Sequence, residues 1–229
     1  MKQALLIMAK RPEAGRTKTR LCPPMTYEMA AGLYECFLRD VLDIVRAVKQ
    51  QVPTLQPCIA YAPLNAEPYF AQLAPDFHLV PQCGDALGQR LHHVLTTCLN
   101  DGYTQVAAIN SDSPTLPPAH LAQAFSRLNN PQTDAVFGPC EDGGYYLIGI
   151  DAPRPRLVLE VEMSTPTVLQ DTLALAQEDN LTAELLPSWY DVDTIEELRR
   201  LYQELMTAPE SVGQYTRGFM VEHLAEIVR

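Results

Sequence analysis

Short apolar runs alternate with longer amphipathic stretches along this chain, and the alternation predicts its elements. Ala4 to Met8 reads as a buried strand, followed by a polar loop that reaches Pro24. From Thr26 to about Lys49, the residues Met29, Leu33, Phe37, Val41, Ile44 and Val48 recur at spacings of three and four, the period of one helix face. Thr26 suits the N-cap of that helix, and Glu28 falls in its first turn, where a negative charge meets the helix dipole favourably. Cys58 to Tyr61 and Phe77 to Pro81 read as strands, with a short helix at Glu67 to Leu73 between them. Ala86 to Asn100 is helical and stops at Gly102. Gln105 to Asn110 reads as a fully buried strand, and Pro117 to Leu128 as a helix with Pro118 tolerated in its first turn.

Asp134 to Gly138 and Tyr145 to Ile150 are strands flanking a Glu-Asp-Gly-Gly turn. Thr165 to Gln177 reads as a helix, Thr182 to Leu186 as a strand and Thr194 to Met206 as a helix. Residues 207–229 form a C-terminal tail or helix, apolar at Phe219, Leu224, Ile227 and Val228, which docks either on the core or on a second subunit of a homodimer. Strands separated by helices of this length imply a mostly parallel sheet covered on both faces. The expected architecture is α/β, a three-layer α/β/α sandwich with a Rossmann-like sheet and an antiparallel excursion around residues 141–144. With no repeat, linker or low-complexity tract, residues 1–229 read as one domain.

Composition narrows the function classes. A chain of 229 residues, 47% of them hydrophobic, buries a core without staples. Lys and Arg number 17 against 28 Asp and Glu, a net charge of -11, which disfavours nucleic acid and anionic membrane as partners. The six cysteines are scattered without a C-x-x-C pair, so neither a zinc site nor a disulfide framework is expected. The apolar run Ala4 to Ala9 is too short for a signal-peptide core, and nothing later approaches ~20 apolar residues. A cytoplasmic protein engaged in small-molecule chemistry or with a protein partner is the expectation.

Against that acidity, six of the 17 basic residues lie within the first 20 positions. Lys10-Arg-Pro-Glu-Ala-Gly-Arg-Thr-Lys-Thr-Arg20 follows the first strand directly, and ligands of open parallel sheets bind beyond the carboxyl ends of strands. Such a loop offers backbone N–H groups and cationic forks to phosphate oxygens, or it is a solvated charge run. It lacks the spacing of a Walker A loop, and no G-x-G-x-x-G follows the strand.

Three further blocks carry candidate chemistry. Ser111-Asp-Ser-Pro114 leaves the buried central strand with one carboxylate, Asp112, placed to hold Mg²⁺ or Mn²⁺ on nucleotide phosphates; alternatively Asp112 or Ser113 caps the next helix. In Glu141-Asp-Gly-Gly-Tyr145 the acids could orient or deprotonate an acceptor while Gly143, Gly144 and Tyr145 approach it closely, or the block is simply a hairpin turn. In Trp189-Tyr-Asp-Val-Asp-Thr194, Asp193 or Thr194 caps a helix, or Asp191 or Asp193 supplies a second carboxylate for the metal. No Ser sits in a G-x-S-x-G elbow, so a hydrolase triad has no anchor.

Taken in this order, the four blocks resemble a bacterial family of GT-A-type glycosyltransferase-like proteins, with K-x-P-x-x-G-x-x-K-T-R-L, S-D-x-P, E-D-G-G-Y-Y-L-I-G and W-Y-D-V-D-T matched from about residue 3 to residue 201. The resemblance implies a nucleotide-diphospho-sugar transferase fold and transfer from a nucleotide-sugar donor, with a divalent metal, to a small-molecule acceptor. It implies that Lys10, Gly15, Arg16, Lys18, Arg20 and Ser111 hold the nucleotide, and that Asp112 and the late Asp193 hold the metal. Catalysis falls to Asp112 with Glu141 or Asp142. The chain departs from the family at Asn110, usually Gly, and at Met163, often Trp. It also has Ser111-Asp112-Ser113 where glycosyltransferases of this fold more often carry D-x-D. Two alternatives follow: a guanylyltransferase-like nucleotidyltransferase joining an NTP to a phosphorylated small molecule, and a non-catalytic nucleotide sensor.

Overall fold

The computed structural model describes residues 2–228. Seven strands form one sheet in the order β3-β2-β1-β4-β6-β5-β7: β1 (Gln3–Lys10), β2 (Leu55–Ala62), β3 (His78–Pro81), β4 (Gln105–Ile109), β5 (Ala135–Pro139), β6 (Tyr145–Ile150) and β7 (Ala183–Leu185). All neighbouring pairs are parallel except those of β6, which runs antiparallel to both β4 and β5. The antiparallel excursion is thus the hairpin around residues 141–144, as the tight turn there requires.

The helices are α1 (Tyr27–Gln51), α2 (Glu67–Leu73), α3 (Leu87–Asn100), α4 (Pro118–Leu128), α5 (Arg156–Leu159), α6 (Val168–Glu178), α7 (Ile195–Thr207), α8 (Gln214–Phe219) and α9 (Ala225–Val228). Strand alternation sorts the core into two layers. Leu5 and Ile7 of β1 pack into a cluster with α1, α4 and α7, while Ala4 and Leu6 pack into a second cluster with α3 and α5. The expected α/β sandwich is therefore present, and no helix among the described residues is long and apolar enough to cross a membrane.

Boundaries moved where local chemistry decides them. Thr26 does cap α1, its side chain accepting from the Met29 N–H at 3.2 Å. The helix read from Thr165 begins instead at Val168, because residues 164–167 form a turn in which Ser164 takes φ 64° and Thr165 Oγ1 donates to Glu162 O. The tail contributes α8, a π-helical segment at Met220–Leu224 and α9. It docks on the core: Asp40 of α1 accepts from the N–H groups of Tyr215 and Thr216 at 3.1 and 2.9 Å, satisfying the start of α8.

Because β6 is reversed, its first residue and the last residues of β1, β2, β3, β4 and β5 lie along the same sheet edge. That edge collects all four sequence blocks.

Candidate active site

The loop after β1 folds back through Gly15, at φ 76°, and Lys18, at φ 50°, a left-handed conformation uncommon outside glycine. A single 3₁₀ turn, Thr19–Leu21, follows. The Lys18 side chain is only 5% exposed, and its ammonium sits 2.6 Å from Asp112 Oδ1 and 2.8 Å from Asp193 Oδ1, while donating to Val192 O at 2.7 Å. Arg20 Nη1 reaches the other Asp193 oxygen at 3.2 Å. Residues 94 to 175 positions away along the chain are thereby gathered on one cation. Burial works against the Lys18 charge, yet the two carboxylates outweigh it and raise its pKa above the ordinary value. Burial likewise pushes the Asp193 carboxyl up, but Lys18 and then Arg20 hold it below its ordinary value.

Local capping explains why those acids are available. Thr194, not Asp193, caps α7, in a capping box with Glu197, whose carboxylate accepts from the N–H groups of Asp193 and Thr194 at 2.7 Å each. At α4 the cap is Pro117, without a side-chain bond, so Asp112 caps nothing. Ser113 turns inward and donates to Tyr190 O at 2.9 Å, and Val192 N–H donates to Asp112 O at 3.0 Å, stitching the two acidic loops together. Ser111 is buried, its hydroxyl 2.8 Å from that of Tyr34, which also accepts from the Lys10 N–H at 3.1 Å.

Two adjoining cavities open here. The first, about 450 Å³, is lined by Lys10, Arg16, Lys18, Arg20, Arg90, Ser111, Asp112 and Asp193 among others. The second, about 310 Å³, shares Arg20, Asn110, Asp112 and Asp193 with it and adds Cys140, Asp142, Gly144, Tyr145, Met163 and Asp191. One half is cationic and the other acidic. Candidate ligand atoms of Cys140, Asp142 and Asp191 lie within 4.8 Å of one another. Burial, then the charges of Asp193, Asp142 and Asp112, push the Asp191 carboxyl up to about 7. The Cys140 thiol is held well above its ordinary value by burial and then by the nearby aspartates, so it stands there as a neutral thiol.

Not every expected residue joins the site. Glu141 faces away: both its oxygens take Arg200 of α7, at 2.6 and 3.0 Å, and the guanidinium lies over the Tyr190 ring at 3.9 Å. Gly15 lines neither cavity and contributes its backbone conformation alone. Gly143 serves packing, since at φ 91° a Cβ there would lie 1.9 Å from Pro166 O. Asp142 is steadied by accepting from the Gly144 N–H at 2.8 Å. Sequence reasoning did not single out Tyr34, Gln82 or Arg90 and named Asn110 only as a departure from the family, yet all four also line the first cavity. The usable signal for Gln82 and Asn110 was their place directly after β3 and β4, at the ligand-binding edge.

A family profile described as "Uncharacterized protein conserved in bacteria (DUF2064)" matches residues 45–165. No curated protein matches the chain. Among solved structures, a candidate nucleotide-diphospho-sugar transferase from Desulfovibrio desulfuricans G20 is similar at TM-score 0.88 and 31% identity, over 99% of this chain and 97% of that one. The 4-diphosphocytidyl-2C-methyl-D-erythritol synthase of Anaerococcus prevotii DSM 20548 is similar at TM-score 0.58 and 12% identity, over 90% of this chain and 96% of that one. Glucosyl-3-phosphoglycerate synthase of Mycobacterium tuberculosis, in complex with Mn²⁺, UDP and glucosyl-3-phosphoglycerate, is similar at TM-score 0.52 and 10% identity, over 94% and 80%. The two distant likenesses show a shared fold.

Proposed function

From the premise that the chain belongs to the DUF2064 family of bacterial proteins, we propose that it is a transferase that takes a sugar from a nucleotide-diphospho-sugar donor. One observation carries the reading: Lys18, Asp112 and Asp193 meet at a seam between a cationic and an acidic cavity. The cationic half suits a diphosphate, which Arg16, Arg20 and Arg90 can bind through charge-assisted hydrogen bonds. The acidic half suits hydroxyls, for which Asp142 and Asp191 are acceptors, and it repels a second phosphate.

The donor set also fits a hard divalent cation. Asp112 and Asp193 each aim an oxygen at one point, held by the Lys18 ammonium, and such oxygens suit Mg²⁺ or Mn²⁺. Asp112 and Asp193, with Asp191 beside them, would hold it, and its chemistry there is to neutralise charge on the departing nucleoside diphosphate. The residues of the chain then have separate tasks. Lys18 and the loop arginines bind the phosphates and stabilise the leaving group. Asp142, fixed by Gly144, orients the acceptor hydroxyl and accepts its proton.

Nucleotidyl transfer from an NTP is the second reading. It is favoured by Asn110 and Pro114, the positions two away from Asp112, which leave it no D-x-D partner and hand that part to the late Asp193. Incubation with Mn²⁺ and panels of nucleotide-sugars and NTPs separates the two. Release of nucleoside diphosphate from a sugar donor is expected; pyrophosphate release from an NTP, with no nucleotide-sugar consumed, would move the assignment to the second.

A further inference from the structure

Gln82 has no task in the transfer described above, yet its position is unusually determined. It directly follows β3, is 8% exposed, and lines both the cationic cavity and a neighbouring one of about 530 Å³. Its side-chain Nε2 donates to Ala9 O at 3.1 Å and to Ala60 O at 2.6 Å. A primary amide has two N–H hydrogens and one carbonyl oxygen. Both hydrogens are committed to the ends of β1 and β2, and reversing the amide would set Oε1 against two strand carbonyl oxygens. Its Oε1 therefore stands as an oriented acceptor, with no hydrogen-bond partner among the described residues.

The surroundings suit a flat heterocycle. Leu64, 62% exposed, and Pro63 give the cavity an apolar wall. Arg11 and Arg90 give it guanidinium planes, and that of Arg90 is steadied by donating from Nε to Gly84 O at 2.8 Å and from Nη2 to Asp85 O at 3.3 Å. Aliphatic and guanidinium surfaces of this kind stack on nucleobases. Lys10, Arg16 and Thr17 border both cavities, so a ring held here stays connected to phosphates held beside Lys18.

We propose that Gln82 selects the base of the nucleotide: its Oε1 accepts the ring N–H of a lactam base, guanine or uracil, and discriminates against adenine and cytosine. This rests on the nucleotide reading above and adds the class of base to it. Guanine and uracil carry a hydrogen on the ring nitrogen of the pairing edge. Adenine and cytosine carry a lone pair there, which would face the lone pairs of Oε1. Turning the base to offer its amino group instead gives that ring nitrogen no donor from Gln82, both of whose N–H hydrogens are committed. An unmet buried polar group of this kind costs roughly tenfold or more in binding.

Calorimetric titration of the full chain with GDP, UDP, ADP and CDP, each with Mn²⁺, tests this. The expected result is that GDP or UDP binds at least about tenfold tighter than both ADP and CDP, with the GDP and UDP arms showing which lactam fits. Gln82→Met should bring the four affinities to within a few-fold of one another. Leu64→Ala should weaken all four while leaving their ratios unchanged. Equal binding of all four by the wild type overturns the selection but leaves the nucleotide site standing, as does an undiminished preference in Gln82→Met. Failure of all four to bind overturns both. If Gln82→Met does not fold, the wild-type ratio alone decides.

Discussion

Lys18 is the residue on which the site's electrostatics turn. A buried ammonium between two carboxylates is favourable only while all three are present, since removing the cation leaves like charges facing each other. Lys18→Met should therefore lower stability by about 1–3 kcal/mol in chelator-treated buffer, a range that allows for the partial exposure of both aspartates. Adding Mn²⁺ should recover much of that loss, because a divalent ion can replace the missing positive charge; thermal melts with and without the ion check this. Asp191 makes the opposite contribution. Its folded-state pKa, near 7, lies above that of an unfolded carboxyl, so between about pH 4 and pH 7 the native chain binds more protons than the unfolded one, and stability falls as pH rises. Asp191→Asn should remove that slope, raising Tm at pH 8 and changing it little at pH 4. A larger gain at the acid end would refute the assignment. The basic loop and the lone Asp112 could be read as chemistry from residue type alone. Their direct contact could not, because it depends on where chain segments 94 positions apart come to rest.

At the scale of elements, apolar periodicity was enough to place every strand of the sheet and its long helices, with shifts of a few residues at their ends. α5 escaped, since four residues that follow Pro153 and Pro155 carry no period to read. The role of Glu141 escaped for a similar reason. It lies on a turn, and its carboxylate is claimed by Arg200, 59 residues later on α7, a partner that no local pattern announces. At the start of α7 the capping falls to Thr194 with Glu197, which leaves the neighbouring Asp193 carboxylate to Lys18 and Arg20. Asp40 shows a cap supplied from another helix. It holds the N–H groups at the start of α8 from the middle of α1, so Asp40→Ala should cost about 1–2 kcal/mol and free the tail. Hydrogen exchange should show Tyr215 and Thr216 losing protection first, while the amides of β1 and β4 keep theirs.

For the molecule as a whole, an excess of acid coexists with a cationic mouth at one sheet edge. The direction of β5 matters to this arrangement: parallel to β1 and β4, it carries the hairpin acid Asp142 to the edge where they deliver Lys18 and Asp112, and β6 turns back from there. The central claim is that nucleotide phosphates and a divalent ion share the ground between the basic loop and the paired aspartates. Electron paramagnetic resonance of Mn²⁺, titrated against the protein with and without nucleoside diphosphate, tests it most directly. The account predicts that nucleotide strengthens Mn²⁺ capture by drawing Lys18 onto phosphate, and that Asp112→Asn abolishes the effect. Mn²⁺ capture that ignores both the nucleotide and Asp112 would contradict it.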